Sequence, residues 1–329
     1  QDLFVGGRSV PARYGLAPSS YLLRNDGEGN FSDATAALAP GLGKIGMVTD
    51  ARWADLDGDA WPELVLAGEW MPLMVFRNDK GRLLRSTPEG LAQSAGWWKC
   101  LALADLDEDG DLDIIAGNQG ENTRRVPSPE HPLHLYADDY DGNGSLDPIL
   151  AYTTTQGVFP VATKDELIKQ VPLFKKKYVR HEEYAGKTVE EILGKKVLQK
   201  SLHLEALRFS SAWIENKGGL SFTLHALPLP AQFAPVRAVL PTDLNRDGHL
   251  DLLLGGNEHS CAPYFGSYDA GMGLVLLGDG KGHFRALSPV ESGLYVPGET
   301  RHIAAITLQG RPAYVFARND ARPLGYGVR

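Results

Sequence analysis

Apolar residues in this chain come in short unbroken runs: LVLAG from Leu64, IIAG from Ile114, ILAY from Ile149 and LLLGG from Leu252. Runs this short, bounded by glycine and acidic residues, are too brief for helices and read as strands buried on both faces. Each run follows a polar string of fixed spacing, DLDGDAWPE from Asp55, DLDEDGDLD from Asp105, DYDGNGSLD from Asp139 and DLNRDGHLD from Asp243. Between them lies a second pattern, two strand-like segments joined by an Asn/Asp-Gly turn. It occurs as YLLRNDGEGNFSDAT from Tyr21, LMVFRNDKGRLL from Leu73, AWIENKGGLSFTLHAL from Ala212 and GLVLLGDGKGHFRAL from Gly273. Such turns need glycine, Asn or Asp where φ is positive, so each copy predicts a β-hairpin.

Joining the two patterns gives strand A, acidic loop, strand B, a variable stretch, strand C, tight turn, strand D. That is a four-stranded antiparallel blade, and repetition at about 50 residues predicts blades packed around an axis, since one blade cannot bury both its faces. The expected fold is therefore all-β, a β-propeller of about five to seven four-stranded blades forming a single domain over residues 1–329. The intervals are uneven: 50 residues from Asp55 to Asp105, 34 to Asp139 and 104 to Asp243. The short interval suggests a blade near Cys100 with lost or reduced outer strands, and the long one contains an insertion. Residues 161–200 carry two capping-box helix starts, Thr163 to Glu166 and Thr188 to Glu191, with Pro172 ending the first helix. Ten Lys/Arg against six Asp/Glu make this helical insertion +4, a charge that suits a solvated packing element first and a flap for an acidic partner second. At the start, LFVGG reads as a strand B with Asp2 as the ninth position of an acidic loop. At the end, RHIAAITLQGRPAYVFARND reads as strands A and B with the acidic loop worn down to LQGRP, and no metal is expected there. Five to six blade equivalents are countable, as in a piece of a longer protein or a propeller closed by its two ends.

The acidic strings carry the clearest chemistry. Oxygen-bearing side chains fall at positions 1, 3, 5 and 9: Asp55, Asp57, Asp59 and Glu63; Asp105, Asp107, Asp109 and Asp113; Asp139, Asp141, Asn143 and Asp147; Asp243, Asn245, Asp247 and Asp251. Carboxylates crowded in this way repel unless a hard cation sits among them. Calcium fits, with its roughly six to eight oxygen ligands in flexible geometry, including a main-chain carbonyl at position 7, here Trp61, Asp111, Ser145 or His249. Position 6 needs a sharp turn, supplied by Gly110, Gly144 and Gly248 but not by Ala60, which makes the first loop the weakest match. An EF-hand is excluded, because it requires a bidentate Glu at position 12, where this chain has Leu66, Ala116, Leu150 or Leu254 within an apolar strand. About four structural Ca²⁺ sites are expected, in an extracellular or outer-membrane-associated setting where calcium is millimolar.

Composition narrows the partners. The formal charge is −8, which four Ca²⁺ would bring to zero, and no basic stripe suggests nucleic acid. There is no run of about 18 apolar residues that would span a membrane as a helix. The two cysteines, Cys100 and Cys261, read as unpaired thiols.

The acidic repeats resemble the FG-GAP/VCBS repeats of the integrin α-subunit type of β-propeller. The strings LFVGGR, GEWMP, GWW, GNQGEN and YDAGMGLVLLGDGKGHF further resemble the C-terminal repeat region of large Bacteroidetes surface proteins carrying an ASPIC/UnbV domain. The resemblance implies a secreted or surface-associated propeller serving in binding or adhesion, and it implies no known reaction.

In such a propeller the calcium loops lie on the A–B side, where their role is to stiffen the fold. The opposite face gathers the B–C and D–A segments, with Glu69, Trp70, Trp97, Trp98, Asn118, Asn257, Glu258, Tyr264, Arg301 and His302 as candidate ligand-binding residues. Aromatic rings beside Asn, Glu and Arg suit a glycan, whose apolar sugar face stacks on a ring while its hydroxyls meet polar groups; a protein ligand is the other candidate. Inter-blade packing is the competing role for the tryptophans. The strings GxSxG, HExxH and a Walker loop are absent. The alternative is a polysaccharide lyase using the same face, with Arg124, Tyr264, Tyr268, His259, Arg301 and His302 abstracting a proton and stabilising an enolate.

Overall fold

The computed structural model describes residues 2–86, 88–261 and 266–327. Among them, 23 strands form six sheets, and paired strands run antiparallel throughout. The first sheet orders β1 (Leu3–Val5), β2 (Tyr21–Asn25) and β3 (Phe31–Asp33). The second orders β4 (Met47–Ala54), β5 (Glu63–Met71), β6 (Met74–Asp79) and β7 (Arg82–Ser86), with the short β8 (Gly96–Trp97) paired to the end of β5.

The third sheet is split by an insertion. It begins with β9 (Cys100–Ala104) and β10 (Asp113–Gly117). The chain then leaves to build a complete four-stranded sheet from β11 (Leu133–Asp138), β12 (Asp147–Thr154), β13 (Gly157–Pro160) and β14 (Leu202–Ala206), ordered β13-β12-β11-β14. It returns with β15 (Ala212–Asn216) and β16 (Phe222–Ala226), and β15 pairs with β10. The expectation of a reduced blade near Cys100 is thus overturned. Its outer strands are present but arrive about a hundred residues late, and the 34-residue interval marks a sheet nested inside another. Two further sheets follow, β17 (Val236–Thr242), β18 (Asp251–Gly256), β19 (Leu274–Gly278) and β20 (Phe284–Ala286), then β21 (Thr300–Leu308), β22 (Arg311–Arg318) and β23 (Leu324–Gly327).

Alternation along the middle strands explains why their sequences are apolar without a break. Ile114 packs toward the second sheet with Val65, Ala67, Leu101 and Ile214, while its neighbour Ile115 packs the other way with Ala102, Leu252 and Leu254. The stack continues through Leu253, Val275, Ile303 and Phe316 on one side, and through Leu22, Leu64, Leu66 and Phe76 on the other. Each fully buried aliphatic side chain contributes about 1.5–3 kcal/mol. The first strands of successive four-stranded sheets, β4, β9 and β17, lie side by side, and β21 follows β17.

All four predicted hairpins form, as β2–β3, β6–β7, β15–β16 and β19–β20. β21 and β22 join through a tight turn at Gln309 and Gly310, both at positive φ. Helices occupy Lys164–Gln170 and Val189–Leu193, each begun by the expected capping box at Thr163 and Thr188, and Pro172 follows the first helix. Together with the single turn at Pro172–Lys175 they bury Leu167, Val171, Phe174 and Ile192 against Ile149 of β12. Both cysteines are free thiols, and burial pushes that of Cys100 up to about 12.

Candidate functional site

The acidic strings all join antiparallel strands: β4 to β5, β9 to β10, β11 to β12 and β17 to β18. Each loop closes by the same bonds. The position 1 carboxylate accepts the position 6 N–H, in the pairs Asp55–Ala60 (2.9 Å), Asp105–Gly110 (3.0 Å), Asp139–Gly144 (2.8 Å) and Asp243–Gly248 (3.1 Å). Position 5 accepts the position 7 N–H, from Trp61, Asp111, Ser145 and His249. Position 6 has positive φ in every loop, 69° at Ala60 and 85–96° at the three glycines. Position 4 does too, at Gly58, Glu108, Gly142 and Arg246, a requirement that the sequence shows only where glycine stands.

Position 9 is the buried member. Glu63, Asp113, Asp147 and Asp251 are each under 5% exposed, and each accepts the main-chain N–H of loop position 2. In three loops the second oxygen accepts an N–H at the end of the third strand of the sheet: Asn78 at 3.2 Å, Asn216 at 2.9 Å and Gly278 at 2.9 Å. Asp2 receives the same bond from Asn25 at 2.9 Å, in keeping with its reading as a ninth position.

In three loops the carboxylates of positions 1, 3 and 9 converge: Asp55, Asp57 and Glu63; Asp105, Asp107 and Asp113; Asp139, Asp141 and Asp147. These clusters could hold a metal ion. Burial pushes Asp113 up to about 6, and it raises Glu63, Asp107, Asp147 and Asp251 as well, with neighbouring carboxylates adding to the push. In the second loop Asp105 Oδ1 and Asp107 Oδ1 are buried without a hydrogen-bond partner, as a cation's oxygen ligands would be. The first loop differs, because Arg77 lies 3.4 Å from Asp57. Glu108 and His249 join the second and fourth loops at 2.5 Å.

Glu63 opens β5 and Glu69 lies near its far end, about 20 Å away at some 3.3 Å per residue. There a cleft of about 350 Å³ is lined by Glu69, Trp97, Lys99, Gln119, Arg124, Arg125, Phe209, Glu258 and Tyr268, with Arg8 and Tyr14 from the N-terminal segment. Glu69 accepts from Arg8 Nη2 at 2.8 Å, Lys99 Nζ at 3.0 Å and the Tyr14 hydroxyl at 3.2 Å. Burial alone would raise its carboxyl, yet the two cations and the hydrogen bonds outweigh that and hold it at about 2. Lys99 also lies 3.7 Å from Glu258, which pairs in turn with Arg237.

Trp97 stands between Trp70, 5.2 Å away edge-on, and Phe209 at 4.6 Å. Asn118 sets its position by accepting the Trp97 N–H at 3.0 Å while its amide donates to the Arg208 and Ser210 carbonyls. Two polar atoms at the cleft, Trp97 Nε1 and Gln119 Oε1, are buried without a partner among the described residues. Arg125 lies over the Tyr152 ring at 4.0 Å, and neither Arg124 nor Arg125 has a carboxylate partner among the described residues.

The structure brings Glu69, Trp97 and Glu258 together at this cleft. Trp70 lies beneath it, buried and donating to the Tyr14 hydroxyl at 2.8 Å. The exposed ring expected at Trp98 is not found, since this side chain is wholly buried between sheets and donates to the Ser94 carbonyl. Neighbours on an extended segment point to opposite sides, and Trp97 takes the outward one. Asn257 is also interior, clamping Gly271 and Gly298. Arg301 pairs with Glu299 at 2.7 Å, and His302 is exposed on β21; neither lines the cleft. Tyr264 lies outside the described residues. Arg8, Tyr14, Lys99 and Phe209 were not expected. Two of them left a trace in the sequence: Lys99 precedes position 1 of its loop by six residues, as Arg237 precedes Asp243, and Arg8 closes the string LFVGGR.

Residues 55–116 match the FG-GAP-like repeat family. The matched span runs from the first acidic loop through the second and into β10. No curated protein matches the sequence. Among solved structures the chain is similar to a lectin of Agrocybe aegerita described as recognising non-reducing terminal N-acetylglucosamine, at 14% identity and a TM-score of 0.30, covering 100% of this chain and 79% of that one. It is also similar to the V. cholerae biofilm matrix protein Bap1, at 11% identity and a TM-score of 0.29, covering 92% of this chain and 63% of that one. At these scores neither likeness bears on what the chain does.

Proposed function

We propose that this chain is an extracellular binding module of β-propeller type, stiffened by calcium, which takes an anionic saccharide in the cleft between Glu69 and Arg125. The observation that carries this reading is the make-up of the cleft wall. It offers aromatic surface at Trp97 and Tyr268, backed by the buried Phe209, and the guanidinium groups of Arg124 and Arg125, which lack a carboxylate partner among the described residues, while Trp97 Nε1 and Gln119 Oε1 lie unpartnered within the wall. An apolar-walled pocket with a few placed polar groups is the usual form of a small-ligand site. Four basic and two acidic side chains line it on a chain whose net charge is −8. Guanidinium groups bind carboxylate or sulfate in a two-point fork, so a uronic acid or a sulfated sugar fits better than a neutral one.

Glu69 favours binding over proton transfer, because it is held ionised by Arg8 and Lys99. The calcium reading rests on the converging carboxylates and on the orphan oxygens of Asp105 and Asp107. Positions 1, 3, 5 and 9 would hold the ion, which supplies rigidity where the first two strands of a sheet meet.

The test is titration calorimetry with acidic and neutral oligosaccharides of equal length, on the parent chain and on Arg124→Ala/Arg125→Ala and Trp97→Ala variants. Acidic sugars are expected to bind at least tenfold more weakly to the double arginine variant, and Trp97→Ala is expected to weaken all sugars that bind. Equal affinity of parent and arginine variant would overturn the anionic preference. Release of unsaturated product during the titration would replace the binding reading with an enzymatic one.

A further inference from the structure

Outside both the acidic loops and the cleft, the inserted sheet carries a cluster of metal-ligand type. Strand alternation places His134 and Tyr136 of β11, His203 and Glu205 of β14 and Thr153 of β12 on one face, with His134 directly opposite Glu205 and Tyr136 opposite His203. This is the face whose other end, at Ile149, is covered by the inserted helices. Leu133 and Leu135 point the opposite way, into the core beneath the cleft.

We propose that His134, His203 and Glu205 form a binding site for a transition-metal dication of zinc type, with a fourth position open to solvent. The donor atoms form a compact triangle. His134 Nδ1 lies 2.9 Å from His203 Nε2 and 3.3 Å from Glu205 Oε1, and His203 Nε2 lies 3.7 Å from Glu205 Oε1. A tetrahedral zinc ion with bonds of about 2.0–2.1 Å holds its ligands about 3.3 Å apart, the middle of that range. Two imidazoles and one carboxylate are a donor set typical of zinc sites with one open position, and they are too nitrogen-rich to favour calcium.

The surroundings of the triangle point the same way. His134 Nε2 lies 2.7 Å from Thr153 Oγ1, so the ring N–H has an oxygen partner on its far side and the Nδ1 lone pair is free to face the other two ligands. Ligating histidines are almost always anchored in this manner. The His203 ring is stacked on Tyr136, with centroids 4.5 Å apart and planes 3° from parallel, which fixes its direction. The His134 side chain is 7% exposed, whereas those of His203 and Glu205 are 39% and 45% exposed, so one wall of the triangle is packed and the other admits an ion and a water molecule.

In the absence of metal the 2.9 Å contact is a hydrogen bond between the two rings, and the experiment must separate the two states. The full chain, saturated with calcium to fill the acidic loops, is titrated with Co²⁺ and followed by its visible spectrum, then back-titrated with Zn²⁺. One equivalent of Co²⁺ with the intense bands of a tetrahedral site, displaced by Zn²⁺, is the expected result. His203→Ala and Glu205→Gln alter exposed side chains, and each is expected to weaken binding at least tenfold. Thr153→Val is expected to weaken it roughly 10–100-fold although Thr153 is not itself a ligand. Weak octahedral spectra, absence of binding at micromolar Co²⁺, or equal affinity in the His203→Ala variant would each overturn the site. Circular dichroism of each variant at the same temperature keeps loss of metal distinct from loss of fold.

Discussion

The Asp113 carboxylate accepts the main-chain N–H of Asn216 at 2.9 Å across 103 residues of sequence. Its other oxygen accepts the Leu106 N–H at 3.0 Å, so one buried side chain ties an acidic loop to both halves of a sheet that the chain interrupts. Alanine at this position leaves two buried N–H groups without partners, at about 1–3 kcal/mol each. Asp113→Ala is therefore expected to lower the unfolding free energy by roughly 2–5 kcal/mol in urea melts with calcium present. A loss below about 0.5 kcal/mol, the size of an ordinary surface effect, would show that the bridge does not hold the sheet together.

Chelation should act on the same loops. Extracellular calcium sites have dissociation constants of about 10⁻⁴–10⁻³ M, so about 10 mM calcium stabilises a site by roughly 1.4–2.7 kcal/mol. Thermal melts are expected to shift down in EDTA and to recover with calcium. Asp107→Asn should remove the share belonging to the second loop, where the Asp107 and Asp105 oxygens lack other partners. Superimposable melts in EDTA and calcium would refute the sites.

What could be read from the sequence was whatever is encoded locally. Hairpins and acidic loops follow from turn residues and spacing within about fifteen positions, and every one of them formed. The partner of β10 was not legible, because pairing between Ile114 and Ile214 depends on the chain returning after a whole inserted sheet, and no local pattern records that. The same limit applies to the cleft. Glu69, Trp97 and Glu258 sit beside repeat landmarks and were found, while Tyr14 and Phe209 reach it from segments with no repeat signature. Trp97 and Trp98 illustrate a finer limit: they are adjacent and chemically identical, yet one faces the cleft and the other the core, a choice fixed by strand register. Positive φ at Glu108 and Arg246 was hidden because a non-glycine residue gives no sign of it.

Ala60 adopts a φ of 69°, which L-residues with a Cβ enter at a penalty of about 1–2 kcal/mol. Glycine removes that penalty but loses more entropy on folding. Ala60→Gly is thus expected to stabilise the chain by about 0.5–1 kcal/mol, and Gly144→Ala, at a φ of 85°, to destabilise it by a similar amount. Paired urea midpoints measure both, and a stabilising Gly144→Ala would contradict the left-handed requirement at position 6.

Glu69 sets the acid limb of stability. Its folded value of about 2 lies below the ordinary 4.5, because Lys99, Arg8 and the Tyr14 hydroxyl outweigh the effect of its burial. A depressed carboxyl contributes stability that is fully present above pH 4.5 and is lost as the pH falls toward 2, and a drop of this size corresponds to about 3 kcal/mol. Asp113, raised from 3.8 to about 6 by burial in the metal-free loop, has the opposite sign and acts mostly above this window, so the measurement belongs in EDTA, where no calcium is released as the loops protonate. Glu299 is likewise held at about 2 by the His259 N–H, Asn319 and Arg301 against its own desolvation, so it retains part of the slope. Glu69→Gln should destabilise the chain at pH 7 and flatten, without abolishing, the fall in stability between pH 4.5 and 2. Urea melts across that window decide the matter: a slope as steep in Glu69→Gln as in the parent would mean that the Arg8–Glu69–Lys99 cluster does not govern acid unfolding.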